Sequence, residues 1–284
     1  MEIQWFPGHM KKSLVNLESW LKNIDMVIVV LDARAPYSCL NNKIESLCAN
    51  KDVLYCINKA DLADPVATNE WLNYFETQGK RAIKIEANKS GTRKLLEAEI
   101  IKVSERKKQS KTRVSLINKF RVAIVGVPNT GKSTVLNTLA GTSAVKTGNV
   151  AGVTRNNTWI KIKNNIELMD NAGTLEPKLK DTTVAENLAI LGSINDSILD
   201  ETELSCCLLD RLIKFAPTSI KQRYGVDIEN KDTYEILQEI AKTKGLLRKG
   251  GEIDETRVSK LLLTDFRSGR LGKVTIERVQ KWKM

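Results

Sequence analysis

The residues best suited to chemistry lie in a glycine-rich stretch, GVPNTGKS, at positions 126–133. It matches the pattern GxxxxGK[ST], follows an apolar run typical of a strand and precedes a pattern typical of a helix. Glycines let a backbone wrap around an anion, and the start of a helix adds its positive end. We expect Lys132 to reach the β and γ phosphates of a nucleotide and the Ser133 hydroxyl to coordinate Mg²⁺. The residues predicted to cradle the phosphates are Asn129, Thr130, Gly131, Lys132, Ser133 and Thr134.

A second motif, NKAD, follows the apolar run VLYCI and suits the recognition of guanine. The Asp61 carboxylate can accept hydrogen bonds from N1–H and from the N2 amine of guanine, a pair of donors that adenine lacks. Lys59 can lay its alkyl stem on the base, whereas Asn58 can either bond N7 or brace the phosphate loop. A weaker partner is Ala87 with Asn88, at a position where a backbone N–H usually caps O6 of guanine. Together the motifs predict GTP as the nucleotide.

Two further motifs lie downstream of the phosphate loop and match the switches of a GTPase. Thr154, in GVT, corresponds to the threonine of a first switch, whose hydroxyl joins Mg²⁺. Asp170 and Gly173 frame the DxxG pattern of a second switch. We expect Asp170 to hold Mg²⁺ through water and the Gly173 N–H to sense the γ-phosphate.

The order of these motifs differs from that of an ordinary GTPase. The guanine motif comes first in the chain, before the phosphate loop, and both switches come last. Joining the usual chain ends and cutting after the second switch produces this order while keeping the same sheet. The sequence therefore predicts a circularly permuted GTPase domain, in which the second switch leads directly into the C-terminal part of the chain.

The elements that must position these motifs alternate between strands and helices in the first part of the chain, which is typical of an α/β fold with a mostly parallel sheet. We expect a permuted GTPase domain over residues 1–177 and an all-helical, RNA- or ribosome-binding domain over residues 178–284. A basic segment, 105–115, predicts a linker or exposed arm. The predicted strands are 26–32, 53–58, 82–85, 120–126, 158–163 and 166–170; the predicted helices are 42–49, 69–78, 132–139, 204–215, 233–242 and 258–266.

Composition and charge restrict the partners. The 284 residues carry a formal net charge of +11, with basic clusters over 101–121 and 242–284. Two basic clusters favour a nucleic acid over a membrane surface. No run of about 18 apolar residues predicts a membrane span, and the N-terminus lacks a secretion signal. With five scattered cysteines, we expect a cytoplasmic protein with reduced thiols.

The motifs WFPGHM, DAR at 32–34, NKAD, GVPNTGKST and DNAG, with KQRYG at 221–225, resemble the RbgA (YlqF) family of bacterial ribosome-biogenesis GTPases. The resemblance covers essentially the whole chain. It implies a GTPase that acts late in assembly of the large (50S) ribosomal subunit. It also implies that the protein binds ribosomal RNA partly through its C-terminal helices, and that the ribosomal particle stimulates GTP hydrolysis.

The sequence leaves open which residue positions the attacking water. The glutamine that orients the attacking water in other GTPases is replaced by Thr174, where the family resemblance implies an aliphatic residue; Leu175 follows. His9, the chain's single histidine, is the candidate that the family suggests for positioning the water. It could instead cap the first helix or contact RNA.

Three other functions compete with this interpretation. A GTP-controlled RNA-binding scaffold would hydrolyse GTP only incidentally. A permuted GTPase of small-subunit assembly is disfavoured by the absence of a cysteine-rich zinc module, and an ATP-using enzyme is disfavoured by NKAD. We expect a precursor of the large ribosomal subunit and its rRNA as partners, and neither DNA nor a membrane.

Overall fold

The computed structural model describes residues 8–110, 119–141, 158–162, 165–170, 173–175, 179 and 181–279. Within these ranges, only the backbone is described for His9, Lys11, Lys12, Ser13, Ser110, Thr158 and Asp170.

Six strands form one sheet in the spatial order β3-β2-β1-β4-β6-β5. All pairs are parallel except β5 and β6, which form an antiparallel hairpin. The two halves of the chain join at β1 and β4, where Met26 lies opposite Val122. This mostly parallel sheet confirms the predicted fold class. The strands are β1 (Met26–Asp32), β2 (Asp52–Asn58), β3 (Ala82–Lys84), β4 (Phe120–Val125), β5 (Thr158–Lys161) and β6 (Ile166–Asp170).

Helices cover both faces of the sheet, which explains why β1 is buried along its whole length and why its sequence is continuously apolar. One face packs against α4 (Thr92–Ser110) and α5 (Lys132–Ala140). The other face packs against α1 (Gly8–Leu21), α3 (Pro65–Thr77) and helices from the C-terminal part. The short helix α2 (Asn42–Leu47) lies between β1 and β2.

The chain beyond residue 181 is helical in the part that the structure describes, apart from a 3₁₀ turn (Asp196–Ile198) and an isolated bridge between Leu247 and Ile253. Aspartates cap most of these helices, and Asp232 forms a capping box with Glu235, as its position before an apolar helical pattern predicts. The helices are α6 (Thr182–Ile190), α7 (Glu201–Phe215), α8 (Pro217–Tyr224), α9 (Thr233–Thr243) and α10 (Glu255–Arg267).

The KQRYG motif ends α8, and its side chains have a structural role within the helices. The Tyr224 hydroxyl and Arg223 Nε both donate to Oδ2 of the buried Asp265 on α10, at 3.0 and 2.8 Å. Gly225 ends the helix in the left-handed conformation. Two of the five motif residues are thus committed to holding α8 against α10.

Residues 273–279 leave the helices and return to the sheet. Val274 N donates to Leu62 O, just after NKAD, and Ile276 N donates to Arg34 O. The Glu277 carboxylate is buried and accepts hydrogen bonds from Ser38 and Asn187. One continuous apolar core therefore includes residues from Met10 to Val279.

The prediction that residues 105–115 form a linker is wrong for its first half. Residues up to Ser110 continue helix α4, while 111–118 lie outside the described residues. The basic residues occupy the exposed side of this helix: Arg106 and Lys107 pair with Asp52. The buried side carries Leu96, Ile100 and Val103.

No helix in the described ranges is both long enough and apolar enough to cross a bilayer. The boundary predicted at residues 177 and 178 falls outside the described residues, so the division into two domains stays a prediction.

Candidate nucleotide-binding site

The predicted nucleotide residues meet at the carboxyl edge of the parallel strands, where ligands of open α/β sheets bind. NKAD begins at the last residue of β2, and the phosphate loop follows β4 and leads into α5. Asp32 ends β1 between them, directly opposite Asn58 in the register of β1 and β2. The topology thus brings motifs together that lie about 70 residues apart in the chain.

The phosphate loop is held by hydrogen bonds within itself. Lys132 is buried, and its Nζ donates to Val127 O at 2.8 Å. The Thr130 hydroxyl donates to the same carbonyl at 3.1 Å. Gly131 stands at the start of α5 with a positive φ of 97°, a backbone conformation that residues other than glycine rarely adopt.

Asn58 joins three parts of the site. Its Nδ2 donates to Thr130 O in the phosphate loop at 2.9 Å, and its Oδ1 accepts from the Ala87 N–H at 3.0 Å. Of the two possibilities left open by the sequence, Asn58 therefore adopts the bracing one. A Cβ on Gly131 would lie 2.3 Å from Asn58 Nδ2, so the glycine leaves the space that this brace occupies.

Lys59 turns back toward the phosphate loop. It has a positive φ of 60°, which is uncommon for a residue other than glycine and clusters at functional sites. Its Nζ donates to Asn129 O at 2.5 Å and lies 2.8 Å from Asp32 Oδ2. Asp61 and Asn88 are exposed at the same edge, where both are accessible to a base.

Asp32 and Arg34, which sequence reasoning noted only as part of a resemblance, form the buried floor beside Lys59. Arg34 Nε and Nη2 donate to the two carboxylate oxygens of Asp32 at 2.9 and 2.8 Å. Burial raises the pKa of Asp32, but the cations of Arg34 and Lys59 outweigh that effect and hold it well below its usual range. Asp32 is therefore an ionised partner for Lys59. A charged residue at the end of a buried strand, with a second one two positions later, was the signal that could have identified them.

The second switch begins against the phosphate loop. A Cβ on Gly173 would lie 2.8 Å from Pro128 Cα and 2.9 Å from Lys132 Nζ, so only a glycine fits there. Thr174 N donates to Gly126 O at 3.3 Å, and Thr174 O accepts from Asn41 Nδ2 at 3.3 Å.

Thr174 and Leu175 both point into the protein. The Thr174 hydroxyl is buried and has no hydrogen-bond partner among the described residues. Leu175 packs in the core shared by the sheet and the helices. The hydroxyl of Thr174 is thus turned away from the solvent that supplies an attacking water.

The remaining predicted residues are placed only in part. Asp170 ends β6 opposite Ile124 of β4, two residues before the phosphate loop begins, although its side chain is not described. His9 lies in the first turn of α1, and its side chain is likewise not described. Thr154 lies outside the described residues.

The helical part also contacts the phosphate loop, which the sequence did not predict. Ser193 Oγ donates to Pro128 O at 2.7 Å, and Asn129 Nδ2 donates to Gly192 O. Gly192 and Ser193 both follow α6. No local sequence signal could have identified them, because the contacts join positions more than 60 residues apart.

Known proteins that are similar to this chain are also GTPases. A family described as "50S ribosome-binding GTPase" matches residues 121–247. "Ribosome biogenesis GTPase A" of Bacillus cereus is 38% identical over 99% of this chain and 96% of its own. The protein of that name from Thermotoga maritima is 31% identical, over 97% of this chain and 94% of its own.

Solved structures agree with this result. The GDP-bound structure of YlqF covers 93% of this chain and 99% of its own, with a TM-score of 0.68 and 28% identity. The GNP-bound structure of YlqF from T. maritima gives a TM-score of 0.66 at 28% identity, covering 94% and 98%. The chain binds and hydrolyses GTP, and it belongs to the family of ribosome biogenesis GTPases A.

Proposed function

We propose that this ribosome-biogenesis GTPase binds a late precursor of the large ribosomal subunit in the cytoplasm, hydrolyses GTP there and dissociates. The matching family is described as 50S ribosome-binding, and the net charge of +11 suits an RNA-rich partner. We further propose that residues 178–284 supply much of the contact with rRNA. This region includes twelve basic residues against five acidic ones over 242–284.

The two hydrogen bonds of the Asn58 side chain are the observation that best supports the proposed nucleotide site. One amide side chain joins the guanine motif, the phosphate loop and the backbone of Ala87. In the proposed complex, Asp61 reads the N1 and N2 donors of guanine, Lys59 covers the base, and the backbone of Ala87 and Asn88 faces O6. The phosphates are held by Asn129, Thr130, Gly131, Lys132, Ser133 and Thr134, and Gly173 faces the γ-phosphate.

Mg²⁺ fits the residues present. The Ser133 hydroxyl lies in the first turn of α5, and the register of β4 and β6 brings the Asp170 position next to the strand that leads into the phosphate loop. Hydroxyl and carboxylate oxygens are ligands that Mg²⁺ prefers. We propose Ser133, Thr154 and Asp170 as the residues that hold it. When bound, the ion would neutralise charge that develops on the phosphate oxygens.

We propose His9 as the residue that positions the attacking water. Thr174 does not compete for this role, because its hydroxyl is buried. Helix α1, which carries His9, packs its apolar side on the same core as Leu175 next to the second switch. We expect turnover to be slow until the ribosomal particle is bound, because binding of a partner often completes a catalytic site.

Turnover measured with purified ribosomal particles tests the function. We expect precursors of the large subunit to accelerate GTP hydrolysis, and small subunits to leave it unchanged. His9→Ala should abolish the stimulation while GTP affinity stays normal. Equal stimulation by both subunits, or by neither, would contradict the proposal. Stimulation by small subunits alone would indicate a role in assembly of the small subunit instead.

Base preference tests the site. Asp61→Asn should weaken binding of GDP and improve binding of xanthosine diphosphate, because the amide can donate to the O2 carbonyl that replaces the N2 amine. A variant that keeps wild-type preference for GDP would show that NKAD does not read the base.

A further inference from the structure

Three charged side chains form a chain of contacts behind the guanine motif. Lys59 Nζ lies 2.8 Å from Asp32 Oδ2, and Arg34 Nη2 donates to the same oxygen at 2.8 Å. Arg34 Nε and the Arg34 backbone N–H both donate to Asp32 Oδ1, at 2.9 and 3.1 Å. The carboxylate is thus fixed on both oxygens by Arg34 and offers one of them to Lys59.

Arg34 is itself fixed by the helical part of the chain. Its Nη1 donates to the carbonyls of Phe266 and Arg267, at 3.0 and 3.2 Å, at the C-terminal end of α10. The Phe266 ring lies 4.9 Å from the guanidinium, a cation–π contact. Carbonyls at the C-terminal end of a helix carry partial negative charge. Arg34 is only 1% exposed, so these contacts replace the hydration of its guanidinium.

The same end of α10 reaches the phosphate loop by a second route. Arg267 Nε and Nη2 donate to Ile190 O and Ala189 O at the end of α6. Gly192, just beyond, accepts from Asn129 Nδ2, while Asn129 O accepts from Lys59. Lys59, the phosphate loop and Arg34 are therefore connected in a closed ring of contacts through α6 and α10.

We propose that Arg34 is a positioning residue for nucleotide retention, which acts by holding Asp32 so that Lys59 stays folded over the guanine base. The proposal rests on the proposed role of Lys59 as the cover of the base. A lysine side chain has four rotatable bonds, and fixing it costs conformational entropy each time a nucleotide binds. A carboxylate already held in place removes much of that cost, since the lysine is ordered beforehand.

A lysine cannot replace Arg34 in this arrangement. The guanidinium uses Nε and Nη2 on the carboxylate and Nη1 on the helix carbonyls, a planar fork that an ammonium lacks. The competing explanation is that Arg34 only fastens α10 to the sheet. In that case, its replacement would lower stability without acting through Lys59.

A double-mutant cycle on the full-length protein separates the two explanations. The rate of dissociation of a fluorescent GDP analogue is measured for Arg34→Lys, Lys59→Met and the double variant. We expect increases of about fivefold and about tenfold for the single variants, and for the double variant no more than Lys59→Met alone. A wild-type rate in Arg34→Lys, or single effects that multiply in the double variant to about fiftyfold, would overturn the proposal.

Arg223→Lys is the matched control, because Arg223 also holds a buried aspartate, Asp265, but lies within the helices. It should lower stability and leave GDP dissociation unchanged. If Arg34→Lys does not fold, Asp32→Asn replaces it in the same cycle, since it removes the charge that holds Lys59. The Asp61→Asn test of base preference is independent of this cycle, so failure of the guanine site and failure of the Arg34 inference give different results.

Discussion

The hydroxyl of Ser193 donates a 2.7 Å hydrogen bond to the carbonyl oxygen of Pro128 in the phosphate loop. The Pro128 carbonyl belongs to the phosphate loop, and Ser193 is only 1% exposed. A loop that must wrap phosphates is thereby tied to the end of the first helix after the second switch. The position of that helix and the shape of the phosphate loop are not independent of each other.

Replacing Ser193 by alanine should loosen the phosphate loop. We expect the free energy of unfolding to fall by about 1 kcal/mol, the usual effect of one lost hydrogen bond, and GDP to dissociate faster. Ser205→Ala is the control, because Ser205 Oγ donates to Ser259 Oγ within the helices at 2.9 Å. It should lower stability by a similar amount in chemical denaturation without changing the GDP rate. Equal GDP rates in the two variants would contradict the connection.

Gly131→Ala should abolish nucleotide binding. The new Cβ would meet Asn58 Nδ2 at 2.3 Å and would also strain a backbone with φ at 97°. Gly245→Ala is the control, because Gly245 also has a positive φ, of 65°, but nothing lies within 4 Å of the added atom. Equilibrium titration with GDP should show loss of binding in the first variant and normal binding in the second. Normal binding in both would show that the Asn58 brace is dispensable.

Thr174→Val should stabilise the protein. The substitution keeps the shape of the side chain and removes a buried hydroxyl that has no partner among the described residues, for a gain of about 1 kcal/mol in thermal or chemical unfolding. Thr275→Val is the control of opposite sign, since the Thr275 hydroxyl oxygen accepts from the Asp64 N–H at 3.1 Å. We expect particle-stimulated GTP turnover of Thr174→Val to equal that of the wild type. A large drop in turnover would return Thr174 to the list of candidates for positioning the water.

The stability of the protein should depend on pH through Glu277. Burial raises the pKa of this carboxyl from 4.5 to about 7, although Ser38, Tyr37 and Asn187 donate to it. Because the folded protein holds this proton more tightly than the unfolded chain, stability is highest below pH 4.5 for this group and decreases as pH rises toward 7. The decrease amounts to about 3 kcal/mol at most.

Glu277→Gln tests this dependence, because the amide cannot ionise. The difference in unfolding free energy between Gln and wild type, measured by urea denaturation at several pH values, should shift in favour of the variant between pH 4.5 and about 7. Above that range the difference should be constant. A difference that is the same at every pH would show that folding does not raise the pKa of Glu277.

The sequence predicted the parts of this protein whose chemistry is local. The phosphate loop and NKAD each occupy a few consecutive residues, and an apolar strand before each of them fixes its place at the sheet edge. Helix α4 was not among the predicted helices, and over its basic half Arg106, Lys107 and Lys108 obscured the apolar positions Ile100 and Val103. The local composition of such a helix reflects the residues on its exposed side as strongly as those on its buried side.

The contacts between the motifs and the helices could not be predicted in the same way. Arg34 bonds carbonyls 232 and 233 residues away, and any residue supplies a carbonyl, so no side-chain type marks the partner. Gly192 likewise contributes only a backbone oxygen to Asn129. Which carbonyls are available there depends on where α6 and α10 end and how they pack, and this is decided by the core as a whole.

The return of residues 273–279 to the sheet has a consequence for the order in which the site can form. Asp64, three residues after the aspartate of NKAD, bonds Thr275, which lies 211 positions later in the chain. Arg34 bonds Ile276 in the same segment. During synthesis, the guanine motif leaves the ribosome long before the residues that support it have been made. We expect the nascent chain to hold GTP poorly until those residues have emerged from the ribosome and packed on the sheet.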